Sequence, residues 1–252
     1  MELKGKTVMI TGASAGIGQG CATGFAEQGS RLVLVARRNE KLSEVAAELR
    51  KNFGVEVHTV TCDVRDAAAV GKAIDSLPKE WANIDVLVNN AGLARGLDKI
   101  QNGSLTDWDE MIDTNVKGLL YVSRAVLPGM VERGFGLVVN IASLAGREVY
   151  PLGNVYCGTK HAVKAISKGM TLDLNGTGVR VTNIDPGLVE TEFSMVRFHG
   201  DSQKAEQVYK GYTPLTGYDI GRMAVFAAQL PDHINLQDML VTPTAQASPY
   251  VM

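Results

Sequence analysis

Tyr156 and Lys160 stand four residues apart in the stretch YCGTK. On a helix that spacing puts both side chains on one face. A phenol beside an ammonium is a pair that can move protons, although a plain polar helix face reads the same way. Upstream, Ser143 ends the run GLVVNIAS, Asn90 follows the run IDVLVN, and Pro186 ends VRVTNIDP. Ligands of open α/β sheets sit beyond the carboxyl ends of the strands. Ser143, Asn90 and Pro186 are therefore expected to converge with the Tyr–Lys pair on one crevice.

A second chemical signal lies near the start. TGASAGIG (11–18) sits between an apolar run and a helical one. Gly12, Gly16 and Gly18 allow a sharp turn and close approach of a ligand to the backbone. The helix that follows turns its first N–H groups and its positive dipole end toward that ligand, which favours a phosphate. The spacing is G-x-x-x-G-x-G, not the G-x-G-x-x-G of the general dinucleotide fingerprint. About 20 residues on, where an acid would read two ribose hydroxyls, the chain has Arg37 and Arg38. Two guanidiniums suit a 2′-phosphate, so the cofactor expected is NADP. Asp63 reads equally as a group meeting the adenine amino nitrogen or as a helix cap.

These residues need a scaffold that brings strand ends together. Short β-branched runs recur at 6–12, 31–37, 55–63, 84–92, 136–143, 179–187 and 234–243, nearly continuous in apolar residues. That is the signature of parallel strands buried on both faces. Helix-like segments at 39–53 and 105–134 lie between them. The alternation predicts an α/β fold, a doubly wound parallel sheet, with residues 1–252 forming a single domain. Charges of both signs from Glu40 to Arg50 read as a solvated helix face.

Composition removes several functions. The net charge is −2, which offers no broad basic surface to nucleic acid. No apolar run is long enough for a membrane span, and MELKGKTVMITG has no leader pattern. Cys21, Cys62 and Cys157 have neither metal nor disulfide spacing, so a reducing, cytoplasmic setting is expected. His58, His161, His199 and His233 show no ligand spacing, and no metal is expected.

The chain resembles the short-chain dehydrogenase/reductase family over nearly its whole length. TGASAGIG, NNAG, Asn115 in DTNVKG, Ser143, YCGTK and DPGLVET occur in the family's order. The resemblance implies a Rossmann-type fold and a catalytic tetrad of Asn115, Ser143, Tyr156 and Lys160. A carbonyl receiving hydride needs a hydrogen-bond donor and then a proton. Tyr156 would give the proton, with Lys160 lowering its pKa and binding the nicotinamide ribose. Ser143 would hold the substrate oxygen, and Asn115 would anchor a water linking Lys160 to solvent. The resemblance also implies cofactor contacts from Gly12, Ser14, Gly16, Ile17 and Gly18, from Asp63, Val64 and Asn90, and from Pro186 and Gly187. Val189, through its backbone, and Thr191, through its hydroxyl, would fix the carboxamide.

PGLVETEFSMVRFHGD, AVLPGMVERG, LPKEWANIDVLVNNAGLA and NVY resemble a subgroup of NADP-dependent 3-hydroxy acid dehydrogenases. This implies a small hydroxy acid such as serine, allo-threonine or 3-hydroxypropionate, and a homotetramer with the Tyr156 helix in a four-helix interface. A carboxylate substrate wants a fixed cation. Arg197, in a segment at about 190–215 expected to cover the substrate, is one candidate and Arg147 another. Ala15 stands where many NADP-preferring relatives carry a basic residue, so cofactor choice rests on Arg37 and Arg38. The other readings are a reductase of a larger ketone, such as a 3-oxoacyl ester, and a non-catalytic NADP-binding sensor.

Overall fold

The computed structural model describes residues 1–209, 211 and 213–249. Lys210 and Tyr212, in the segment expected to cover the substrate, lie outside the described residues, as do Tyr250, Val251 and Met252. In chain order the elements begin β1 (Thr7–Thr11), α1 (Gly16–Glu27), β2 (Arg31–Ala36), α2 (Asn39–Phe53), β3 (Val57–Thr61) and α3 (Ala67–Asp75). β4 (Val86–Asn89), α4 (Leu105–Ile112), α5 (Leu119–Arg133), β5 (Gly136–Ile141) and α6 (Asn154–Asp173) follow. Then come β6 (Val179–Pro186), β7 (Val189–Glu190), α7 (Phe193–Arg197), α8 (Ser202–Gln207), β8 (Leu215–Thr216), α9 (Gly217–Gln229) and β9 (Asp238–Val241).

Each of the seven apolar runs supplies one strand of a single parallel sheet, ordered β3-β2-β1-β4-β5-β6-β9. Alternate residues pack on opposite faces. Val8, Ile10, Leu32 and Leu34 meet α1, α2 and α9 through Phe25, Leu42 and Ile220. Met9, Val33, Leu87 and Val138 meet α3, α5 and α6 through Val70, Val126 and Val163. The near-continuous hydrophobicity is the sum of these two period-2 patterns. The order reverses between β1 and β4, which opens a crevice at their carboxyl ends.

The expected helix at 105–134 is broken by a π-helical turn at Asp113–Gly118. The wider turn carries Asn115 inward, and Gly118 lets the backbone pass Val64: a Cβ there would come 2.7 Å from its Cγ2. Among the described residues no helix is long and apolar enough to cross a membrane.

Two polar devices register the layers. Asn140 is fully buried; its Oδ1 accepts from Asn89 in the next strand at 2.9 Å and its Nδ2 donates to Ser167 on α6 at 2.9 Å. Arg180 is buried on β6 and donates to the carbonyls of Ala227, Ala228 and Leu230 at the end of α9 and of Ile234 just beyond it. A cation there also opposes the negative end of the helix dipole.

The tightest packing has no side chains. Gly16, Gly20 and Gly24 line one side of α1 and face Gly217 and Gly221 on α9. A Cβ on Gly20 would collide with the Gly217 carbonyl and lie 2.5 Å from the Tyr218 nitrogen, whereas one on Gly24 would sit 3.3 Å from Gly221. Gly20→Ala should therefore lower stability by about 1–3 kcal/mol, the usual cost of overpacking. Gly24→Ala should come out near neutral, its gain in helix propensity of about 1 kcal/mol offsetting a mild contact. Urea midpoints at constant slope would measure both. An unchanged midpoint in Gly20→Ala would show that the helices are not in backbone contact.

Candidate active site

A crevice of about 630 Å³ runs along the carboxyl ends of β1, β4, β5 and β6. It has a cationic end at the glycine turn and a second end among Tyr150, Tyr156 and Arg197.

At the first end Gly12 and Gly16 have φ of +66° and +56°. A Cβ on Gly12 would approach Asn90 Nδ2 to 2.9 Å, and one on Gly18 would meet the Gly12 carbonyl. The turn is stapled to β4: Asn90 Nδ2 donates to the Thr11 carbonyl at 2.9 Å, and Thr11 Oγ1 accepts from the Asn90 and Ala91 nitrogens. Ala15 at the head of α1 offers no side-chain acceptor, so nothing of its own caps the first helical N–H groups. Ser14, Gly16 and Ile17 line this part of the crevice. A pyrophosphate-bearing cofactor fits such a turn: side chains at Gly12 or Gly18 would push it off Asn90, and the first N–H groups of α1 have no side-chain cap.

Arg38 lies over the turn, donating to Ser14 Oγ from Nε and Nη2 at 3.3 and 3.2 Å. Its Nη1 donates to Glu192 at 2.7 Å, and Lys41 donates to the same carboxylate at 2.6 Å. Arg37 faces Asp63 at 3.8 Å. Arg65 grips Asp63 at 2.6 Å, and that hydrogen bond holds the carboxyl below its usual range. Of the two readings of Asp63, the cap belongs to a neighbour: Asp66 accepts from the Ala68 and Ala69 nitrogens at the start of α3. Asp63 and Val64 line the crevice.

At the other end, Ser143 accepts from the Ala145 nitrogen at 3.1 Å and stands beside Tyr156. α6 buries Tyr156 and Lys160 on one face, as their spacing predicts. Lys160 Nζ donates to the Ile141 carbonyl at 3.0 Å. Asn115 brackets Leu93, accepting from its nitrogen and donating to its carbonyl at 2.8 Å each, and also donates to Thr159. Gly92 leaves the space between them; a Cβ there would lie 3.2 Å from Asn115 Oδ1 and 3.5 Å from Lys160 Nζ.

The electrostatics differ from the sequence expectation in one respect. Burial raises the Tyr156 phenol, and the cation that opposes this is Arg197, with Ser143 helping by hydrogen bond. Arg197 Cζ is 5.1 Å from the Tyr156 ring centroid, and Lys160 Nζ is 5.9 Å away. Burial also acts on Lys160 itself, pushing its ammonium down to about 8.

Arg197 projects from α7 among Tyr150, Tyr156 and Phe193. Its Nη2 donates to Tyr150 Oη at 2.8 Å, and its Nε is buried without a partner among the described residues. Arg147 is placed elsewhere: it bridges Asp185 and Asp238 at 2.5 Å each, tying β6 to β9, and does not line the crevice.

The segment carrying Arg197 leaves and returns through the β7–β8 pair, Val189 opposite Leu215 and Glu190 opposite Thr216. Thr191 Oγ1 accepts from the Phe193 nitrogen, and the Val189 carbonyl accepts from Tyr209. Pro186 and Gly187 lie on the crevice wall. Several residues here had no sequence signal. Gln246 Oε1 accepts from the Leu188 nitrogen at 2.8 Å in space left by Gly187. Arg95 donates to Glu110 at 2.7 Å and to the Val196 carbonyl at 2.6 Å, and the Gly96 nitrogen donates to the Arg197 carbonyl. Lys41, within the helix face read as solvated, is exposed there and pairs with Glu192 of the crevice wall.

Residues 6–202 match the short chain dehydrogenase family. An NADP-dependent 3-hydroxy acid dehydrogenase of Escherichia coli strain K12 is 46% identical over 241 residues, spanning 95% of this chain and 96% of its own. Sulfoacetaldehyde reductase 2 of Chromohalobacter salexigens is 45% identical over 241 residues, spanning 95% of each chain. The solved closed form of a serine dehydrogenase complexed with NADP+ has a TM-score of 0.92 at 45% identity and covers 98% of both chains.

The buried lysine has a measurable consequence. With its pKa near 8 in the folded chain and higher when unfolded, the unfolded state binds more protons between those values. Stability therefore rises with pH through that window, and the penalty is full below it. Lys160→Met should remove the penalty, worth up to about 3 kcal/mol near neutral pH. Its stability should climb less than that of the unsubstituted chain between pH ~7 and ~10. Parallel slopes in urea titrations across that range would show that Lys160 carries no such cost.

Proposed function

The chain belongs to the short-chain dehydrogenase family, and we propose that it interconverts small 3-hydroxy acids and their oxo forms with NADP(H). It is an oxidoreductase acting on CH–OH groups. Its 3-hydroxy acid dehydrogenase and serine dehydrogenase relatives support the substrate class and the cofactor. The observation that carries the reading is Arg197: a guanidinium beside Tyr156, held by a tyrosine hydroxyl and paired with no carboxylate among the described residues. A substrate carboxylate completes it. A 3-oxoacyl ester has no such anion to offer there.

NADP, when bound, supplies or accepts the hydride. The glycine turn and the first N–H groups of α1 would hold its pyrophosphate, with Arg37 and Arg38 reading the 2′-phosphate. The chain's own residues handle the oxygen and its proton. Ser143 Oγ and Tyr156 Oη share the oxygen of the substrate, and Tyr156 gives or takes the proton. Lys160, with Nζ 5.9 Å from the Tyr156 ring, places a second cation behind the phenol. Asn115 keeps Leu93 in place and so shapes the wall against which substrate sits. The segment expected at about 190–215 to cover the substrate carries Arg197, which would clamp the carboxylate. Met, lacking charge, tests this directly. Arg197→Met should raise KM for serine or 3-hydroxypropionate roughly thirty-fold or more, since losing one partner of a desolvated pair costs about 2–5 kcal/mol. KM for a neutral alcohol of similar size should stay nearly constant. Equal rises for both would reduce Arg197 to a structural residue. The sulfoacetaldehyde reductase relative makes 2-hydroxyethanesulfonate a useful further arm, because a guanidinium takes a sulfonate as readily as a carboxylate.

The proposal includes a cytoplasmic homotetramer. Leu120 and Val131 on α5 and Leu172 on α6 are 40, 40 and 65% exposed, which supports a helix-face interface. Leu172→Glu should shift the mass seen by light scattering from four chains toward fewer. A chain that is monomeric before substitution would remove this part of the proposal.

A further inference from the structure

We propose that Glu192 is a built-in competitor for the 2′-phosphate of the cofactor and thereby sets how strongly the chain prefers NADP to NAD. The inference rests on the cofactor reading above.

Glu192 heads α7 directly after Thr191. Its two carboxylate oxygens take two different cations: Oε2 accepts from Arg38 Nη1 at 2.7 Å, and Oε1 accepts from Lys41 Nζ at 2.6 Å. All three nitrogens of Arg38 thus have partners, with Ser14 Oγ taking Nε and Nη2. Both cations hold the Glu192 carboxyl below its usual range, Lys41 first and Arg38 second. Arg37 is turned the other way, toward Asp63 at 3.8 Å. The cluster over the glycine turn is therefore an anion site already filled by an internal anion.

A 2′-phosphate carries more negative charge and more acceptor oxygens than a carboxylate. It can win Arg38 and Lys41, but only by displacing Glu192. A cofactor with a plain 2′-hydroxyl makes no such demand and leaves the carboxylate where it is. Glu192 consequently weakens the binding of the phosphorylated cofactor and leaves the other nearly untouched. The carboxylate sits at the head of the helix that ends in Arg197, so the exchange also releases one tether of the element bearing the substrate cation.

Calorimetric titration of the full chain with 2′,5′-ADP and with 5′-AMP separates these events without turnover. In the unsubstituted chain, tighter binding of 2′,5′-ADP than of 5′-AMP tests the cofactor reading alone. Glu192→Gln, which keeps the side chain's shape, should tighten 2′,5′-ADP about three- to thirty-fold, the worth of two exposed ion pairs. Binding of 5′-AMP should not change. Adding Lys41→Met to Glu192→Gln should return most of the gain. Unchanged or weaker 2′,5′-ADP binding in Glu192→Gln, or equal tightening of both nucleotides, would overturn the inference while leaving the cofactor reading intact. If neither protein prefers 2′,5′-ADP, both fall. A preference that emerges only in Glu192→Gln would support the competitor role most strongly.

Discussion

The active site depends on where α6 lies along the sheet, and that position is fixed by one buried amide. Asn140 has no exposure, and its side chain joins Asn89 on the neighbouring strand to Ser167 on the helix. An unpaired buried polar group costs about 1–3 kcal/mol. Sliding α6 by a turn would leave two or three of them. Apolar packing between Val163, Met170 and the sheet gives affinity but little register, because one branched side chain substitutes readily for another. The amide turns a greasy contact into a specific one. Two turns and more away on the same helix, Tyr156 and Lys160 then arrive beside Ser143 at the end of β5.

The parts of this arrangement visible in the sequence are those with a local cause. Strands buried on both faces read as apolar runs because Val8 and Met9 point to opposite cores. The glycine turn read correctly as a turn because Gly12 and Gly16 take left-handed backbone angles that other residues avoid. The Tyr–Lys pair follows from helical spacing alone. What did not show was long-range or depended on a change of helical pitch. The apolar pattern of 105–134 continues through Asp113–Gly118, so nothing in it announces the wider turn that delivers Asn115. Glu192 and Lys41 are 151 positions apart, and charge alone does not name a partner. Asp63 and Asp66 are both candidate caps by type; only the backbone decides that Asp66 takes the N–H groups.

The two ends of the crevice are joined by a run of charges. Arg37 meets Asp63, Asp63 meets Arg65, Arg65 meets Glu110 at 3.6 Å, and Glu110 meets Arg95, whose other nitrogen holds the Val196 carbonyl. Most of these side chains are partly exposed, so each pair adds little stability. Their effect is geometric. Together with the Gly96–Arg197 backbone bond they pin one side of α7, while Glu192 pins its head. A helix of five residues has too few internal bonds to hold itself, so its placement is set by these outside contacts.

Unfavourable terms gather where substrate chemistry is proposed. The Lys160 pKa is held down by burial, Arg197 Nε is buried with no acceptor among the described residues, and Tyr156 is pushed away from ionisation by its own burial. Leu152, in the loop between Ser143 and α6, sits at φ +67°, a region that costs a non-glycine residue of order 1 kcal/mol or more. That loop also carries Tyr150, which accepts from Arg197, and Gly153, whose missing Cβ makes room for the Tyr150 ring. Each cost is carried by the large two-sided core, which tolerates it. Under the proposed function a substrate carboxylate would pair with the Arg197 guanidinium, and an oxygen gaining negative charge at Tyr156 would answer Lys160. In that reading the two cations match a ligand with one fixed negative charge and a second that develops a short carbon chain away, the charge pattern of a 3-hydroxy acid in the course of its oxidation.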